Sequence, residues 1–60
     1  MIETREKYKD YEIIINEFDN IKELIIIEEL KYNYYNEVFE IKSSNEEITK
    51  KAKKIIENSK

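Results

Sequence analysis

No histidine, cysteine, glycine or proline occurs in this 60-residue chain, and each absence removes a chemistry or a geometry. Without histidine, no side chain has an ordinary pKa near neutrality to act as general base. Without cysteine there is no thiolate nucleophile, no soft metal ligand and no disulfide. Without glycine the chain cannot build the close-approach loops that cradle phosphates, and without glycine and proline it lacks the strongest turn formers. The hydroxyl nucleophiles that remain (Thr4, Ser43, Ser44, Thr49, Ser59) have no histidine to activate them. A non-enzymatic protein without cofactors or metals is the expectation.

The four absences differ in weight. Phe, Tyr, Met, Ile, Asn and Lys supply 36 of the 60 residues, and all six are encoded by AT-rich codons. This composition points to an AT-rich genome of bacterial, phage, plasmid or archaeal-virus type, in which glycine and proline are scarce for reasons unrelated to folding. Codon bias does not exclude histidine or cysteine, so those two absences stand as chemical limits. The charged stretch Met1 to Asp10 does not resemble an export signal, and the longest apolar run, Leu24 to Ile27, is far shorter than the ~20 residues a bilayer span needs. With no cysteines, a cytoplasmic location without membrane contact is expected.

Twelve isoleucines, five tyrosines and two phenylalanines are too much apolar material for a disordered segment, even with 42% charged residues. One small domain spanning 1–60 is expected. A chain this short retains only about 3 to 5 kcal/mol of stability from its core, so self-association into a homodimer is a natural reinforcement.

Charge is uneven along the chain. Residues 1–42 hold 11 acids and 6 bases, and residues 43–60 hold 5 bases and 3 acids, giving −5 and +2 for the stated net of −3. An acidic body with a mildly basic tail makes nucleic acid an unfavoured partner, because phosphate binding needs a concentrated basic footprint.

The clearest element is a C-terminal helix over 45–58. Ser44 and Glu47 have capping-box spacing, and Ile48, Ala52, Ile55 and Ile56 fall on one helical stripe. On the solvent side, Glu46 with Lys50, Glu47 with Lys51, and Lys53 with Glu57 have the i, i+4 spacing of supporting ion pairs. Upstream, over 11–42, three apolar clusters (Tyr11 to Phe18, Ile21 to Leu30, Val38 to Ile41) are rich in β-branched and aromatic residues. The triplets Ile13-Ile14-Ile15 and Ile25-Ile26-Ile27 favour strands, being stiff at χ1.

Asp19-Asn20 has the character of a two-residue hairpin turn, since both residues tolerate positive φ. Tyr32 to Asn36 reads as a second, looser turn. The expected fold is α+β: a β-meander of two or three antiparallel strands with the helix packed on it, and residues 1–10 as a flexible arm or a short helical turn. The competing reading is an all-α helical hairpin or three-helix bundle. It rests on the 3-4-3-4 spacing of Tyr11, Ile14, Phe18, Ile21 and Ile25 and on a cap-like Asn20 with Glu23.

Two surfaces are candidates for binding. Tyr32, Tyr34, Tyr35 and Phe39, with Glu37 and Glu40 beside them, form the densest aromatic patch. Aromatic rings flanked by acids rather than bases suit a protein surface better than stacked nucleobases. The expected function is a protein-binding module, a small phage- or mobile-element-type inhibitor or accessory protein that occupies a host or cognate protein through acidic and tyrosine side chains. The alternative is a small repressor- or antitoxin-type regulator that contacts nucleic acid through Lys50, Lys51, Lys53 and Lys54.

Overall fold

A computed structural model of the chain describes residues 1–30 and 34–58, with Tyr34 described by its backbone alone. Four strands, β1 (Ile2–Tyr8), β2 (Tyr11–Glu17), β3 (Ile21–Glu28) and β4 (Tyr34–Glu40), precede one helix, α1 (Asn45–Asn58). The strands form one antiparallel sheet in the order β1-β2-β3-β4, a meander. The fold is α+β, as the isoleucine triplets imply, and the all-helical alternative for 11–42 does not hold.

Three local expectations are corrected. Residues 1–10 are neither an arm nor a helical turn: Ile2–Tyr8 pairs along its whole length with Tyr11–Glu17, so the sheet has four strands rather than two or three. The charged alternation of β1 hides its strand character, because an edge strand needs little apolar content when its neighbour supplies the ladder. Tyr34 to Asn36 belong to β4 and not to a turn, while the rest of that expected turn, Tyr32 and Asn33, lies outside the described residues. The third correction concerns the turns. Asp19-Asn20 does join β2 to β3, closed by the Phe18 N–H donating to the Ile21 carbonyl at 2.9 Å. Yet the positive φ found among the described residues is at Lys9, 57°, in the β1–β2 turn. A non-glycine residue held there costs about 1 kcal/mol.

Side-chain alternation along the sheet decides what is buried. Ile13 and Ile15 of β2 stand beside Ile26 and Leu24 of β3 on one face, and α1 lays Ile48, Ala52 and Ile56 over them to complete the core. Ala52 and Leu24 are fully buried, so the small residue lets the helix backbone approach the sheet closely. Tyr8, Tyr11, Tyr35, Phe39 and Ile55 close the margins of this core.

The helix start is fixed twice. Ser44 Oγ accepts from the Glu47 N–H at 3.1 Å, and Glu47 Oε1 accepts in turn from the Ser44 N–H at 3.4 Å, which is the expected capping box. Beneath it lies Lys22, buried among the sheet residues. Its ammonium donates to the Ser43 carbonyl at 2.7 Å and to Asn45 Oδ1 at 2.9 Å, with Glu17 at 4.0 Å. Asn45 also donates to Glu17 at 3.2 Å. A buried ammonium is tolerated only where its donors and charge are met: here Ser43 and Asn45, at the entry to α1, accept its hydrogen bonds, and Glu17 of β2 supplies the opposite charge.

Candidate interaction site

The two faces of the sheet have different fates, and the candidate binding residues divide between them. In β4, Tyr35, Glu37 and Phe39 pair with Ile26, Leu24 and Lys22 and share the helix-covered face. There Tyr35 donates its hydroxyl to Glu37 at 2.5 Å, Lys51 of α1 donates to Glu37 at 2.7 Å, and the Lys51 ammonium lies 5.2 Å from the Phe39 ring centre. The hydrogen bonds from Lys51 and then Tyr35 hold the Glu37 carboxyl below the usual glutamate range. The same bonds push Lys51 and Tyr35 upward. Three of the residues expected to meet a partner are therefore joined to one of the lysines expected to meet nucleic acid.

A matching network stands at the other edge of the sheet. Tyr8 donates to Glu57 at 2.6 Å, Lys9 pairs with the same carboxylate, and Lys53 pairs with Glu6 at 3.0 Å while lying 5.1 Å from the Tyr8 ring centre. The hydrogen bond to Glu57 raises the Tyr8 hydroxyl above its ordinary pKa. The helix charges thus bond across to β1 and β4, in place of the i, i+4 pairs expected along α1: Glu47 is used by the cap, Lys51 by Glu37, Lys53 by Glu6, and Glu57 by β1 and its turn. Sequence spacing could not reveal this, because the sheet carboxylates that compete for the lysines are 14 residues away for Lys51 and 47 for Lys53. Lys50 and Lys54 are exposed and have no ion pair among the described residues. Lys50 borders two open depressions beside α1, one lined also by Glu6, Glu46, Thr49 and Lys53 and the other by Glu47, Lys51 and Lys54.

Among the described residues, the opposite face of the sheet carries no helix. Its ladder rows run Arg5, Ile14, Ile25, Asn36 and then Glu3, Asn16, Glu23, Val38, with Ile27 and Ile21 above and below on β3. Phe18 and Val38 are exposed, at 41% and 56%, and Ile21, Ile25 and Ile27 are half-buried. Ile14 is buried in the middle, beside Arg5, whose guanidinium is held by Glu12 at 2.8 Å and Glu3 at 3.3 Å. Glu23 accepts from Asn36, and Glu40 has Lys42 at 3.9 Å. Asn16 is set between Glu3 and Glu23, two acceptors, and its buried Oδ1 has no hydrogen-bond partner among the described residues.

Of the remaining expected site residues, Glu40 is exposed on this open face, Tyr34 pairs with Ile27 in the ladder, and Tyr32 lies outside the described residues. The sequence reading missed Phe18, Ile21, Ile25, Ile27 and Val38 as surface residues. The signal was present in the continuous isoleucine triplets, which leave apolar side chains on both faces of a strand. Among the described residues no group of three or more acids is placed to hold a metal ion, and no helix is long and apolar enough to cross a membrane. Comparison with protein-family models, with curated proteins and with solved structures finds no match to this chain.

Proposed function

We propose that the chain is a non-enzymatic protein-binding module, of the kind that small phage or mobile-element proteins use to occupy a partner, and that it docks through the open face of its sheet. One observation carries this reading. An antiparallel sheet with a solvated face normally alternates apolar and polar residues, whereas unbroken apolar strands belong to sheets covered on both sides. Here Ile14, Ile25 and Ile27 lie opposite to the helix, and Val38, Phe18 and Ile21 extend their apolar surface.

The rim indicates the partner's chemistry. Glu23 and Glu40 border the β3–β4 side of the patch, so the complementary surface is apolar at its centre and basic at that edge. Carboxylates placed there speed encounter and fix orientation, while the desolvated apolar centre supplies most of the affinity. Enzymatic function has little support, since the chain offers no histidine or cysteine and its tyrosines Tyr8 and Tyr35 are tied to carboxylates.

The nucleic-acid alternative now rests on Lys50 and Lys54. Two bases neutralise about two phosphates, for a slope of log affinity against log salt near −2, which is small for a functional nucleic-acid interface. The test introduces a photo-crosslinking residue at position 38 or at position 54 and identifies adducts formed in the source cells, alongside capture by Val38→Asp and Lys54→Glu. A protein adduct from position 38, lost on Val38→Asp and kept in Lys54→Glu, is expected. Adducts from position 54 alone, with DNA binding that steepens as salt falls, would transfer function to the helix.

A further inference from the structure

Among the described residues the sheet has two unpaired edges, β1 and β4, and they differ in a way that selects one of them for self-association. We infer that β1 pairs with β1 of a second copy of this chain, in antiparallel register about a twofold axis at Arg5, to make a continuous eight-stranded sheet. This surface is separate from the open face, so the inference does not depend on the proposed function. A dimer built this way leaves both open faces available.

The ladder sets which backbone groups are free. Because the Phe18 N–H bonds to the Ile21 carbonyl, the even-numbered residues of β2 bond to β3, and its odd-numbered residues bond to β1. Tyr8, Glu6, Thr4 and Ile2 are their β1 partners. The N–H and C=O groups of Glu3, Arg5 and Lys7 consequently point outward, at an edge with no bulge, proline or glycine to interrupt it. A twofold axis at Arg5 matches outward residue to outward residue, so the hydrogen-bond parity is satisfied.

Charge then fixes the register. With Arg5 opposite its own copy, Glu3 stands opposite Lys7 of the second copy, and Lys7 opposite its Glu3, giving two cross-strand opposite-charge pairs. The two facing arginines each keep Glu12, at 2.8 Å, as an intramolecular partner. On the helix-covered side the same register sets Ile2, 63% exposed at the end of β1, opposite Tyr8 of the second copy. The β4 edge offers no such match: Tyr34–Glu40 carries Glu37 and Glu40 and no base, so every antiparallel register of β4 with itself gathers only negative charge. β1, with Glu3 and Glu6 against Arg5 and Lys7, is balanced within its own length. The intramolecular pairs that this register replaces, Arg5–Glu3 and Lys7–Glu29, are exposed ion pairs of small net strength.

Sedimentation equilibrium across protein concentration, with folding verified by circular dichroism, tests the inference. The unchanged chain is expected to approach twice its 7.4 kDa mass. Arg5→Pro removes an outward N–H without touching the β2 ladder, and is expected to raise the dimer dissociation constant tenfold or more. Glu3→Lys and Lys7→Glu should each weaken the dimer, and the two changes together should restore it, although they leave the intramolecular pairs of both residues broken.

The register is read separately. Since the chain has no cysteine of its own, Arg5→Cys should form a disulfide-linked dimer under mild oxidation, at the ~5.5 Å Cα separation of a hydrogen-bonded pair, while Glu3→Cys should not. A chain that stays monomeric at millimolar concentration overturns the inference. So does a dimer untouched by Arg5→Pro but abolished by Val38→Asp, which would place the second copy on the open face.

Discussion

The two faces of the sheet are built from the same residue types and yet differ in how completely their groups are matched. On the helix-covered face, Ile13, Ile15, Leu24 and Ile26 meet Ile48, Ala52 and Ile56, and the lysines of α1 reach out to Glu37 on one side and Glu6 on the other. On the open face, Ile14 is buried, but Ile21, Ile25, Ile27, Phe18 and Val38 retain contact with water, and the Asn16 acceptor finds no partner among the described residues. One face is a finished core. The other has the composition of a core without its second layer, and this difference is the reason to look there for a partner.

The most forceful way to break the comparison is to truncate equivalent apolar residues on the two faces. Leu24→Ala should cost about 2 to 5 kcal/mol, enough to unfold much of so small a domain. Val38→Ala should change stability by no more than about 0.5 kcal/mol. Urea midpoints by circular dichroism give both numbers, and similar losses at the two positions would mean that the faces are equally closed.

Next in size is Lys22→Met, which keeps most of the buried stem and removes the ammonium. It should cost about 1 to 3 kcal/mol, because the Ser43 carbonyl and Asn45 lose their donor. The loss should concentrate in α1, visible as faster amide exchange in its first turn. Uniform exchange across sheet and helix would show that Lys22 does not anchor the helix start.

On the open face the sign reverses. Asn16→Val removes a buried acceptor without a partner and should stabilise the chain by about 1 kcal/mol. A lower urea midpoint would instead show that the amide is satisfied in solution.

The smallest effect is electrostatic and sharpens the view of the closed face. Glu37 has a lowered pKa in the folded chain, so it releases its proton more easily there than when unfolded. Its contribution is fully present above the unfolded value of about 4.3 and is lost as pH falls below it through the folded pKa. Glu37→Gln should therefore lower stability slightly across the neutral region and flatten the fall on the acid side, so that the two curves converge at low pH. An identical acid limb in the variant would remove Lys51 and Tyr35 from the account of acid stability.

Parts of this arrangement were legible in the chain itself. The capping residues Ser44 and Glu47, the stripe Ile48-Ala52-Ile56 and the β character of the isoleucine triplets are local patterns, and each appears where its spacing placed it. β1 was not legible, because an edge strand with alternating charges draws its stability from the ladder to β2 and not from its own apolar content. The candidate site was legible in part. Treating Tyr32, Tyr34, Tyr35, Glu37, Phe39 and Glu40 as one patch left out the alternation of a strand, which sends Tyr35, Glu37 and Phe39 to the helix and leaves Glu40, with Val38, on the other side.

The sequence by itself determined the chemical repertoire, carboxylates, lysines and tyrosines without histidine or thiol, and also the two local periodicities that make strands and a helix. Only the tertiary structure decided which of those charges are already spent. Lys51 and Lys53 are neutralised by Glu37 and Glu6 because the helix lies across the sheet at the height of those carboxylates. Coulomb attraction depends on distance in space, and separation along the chain does not predict it.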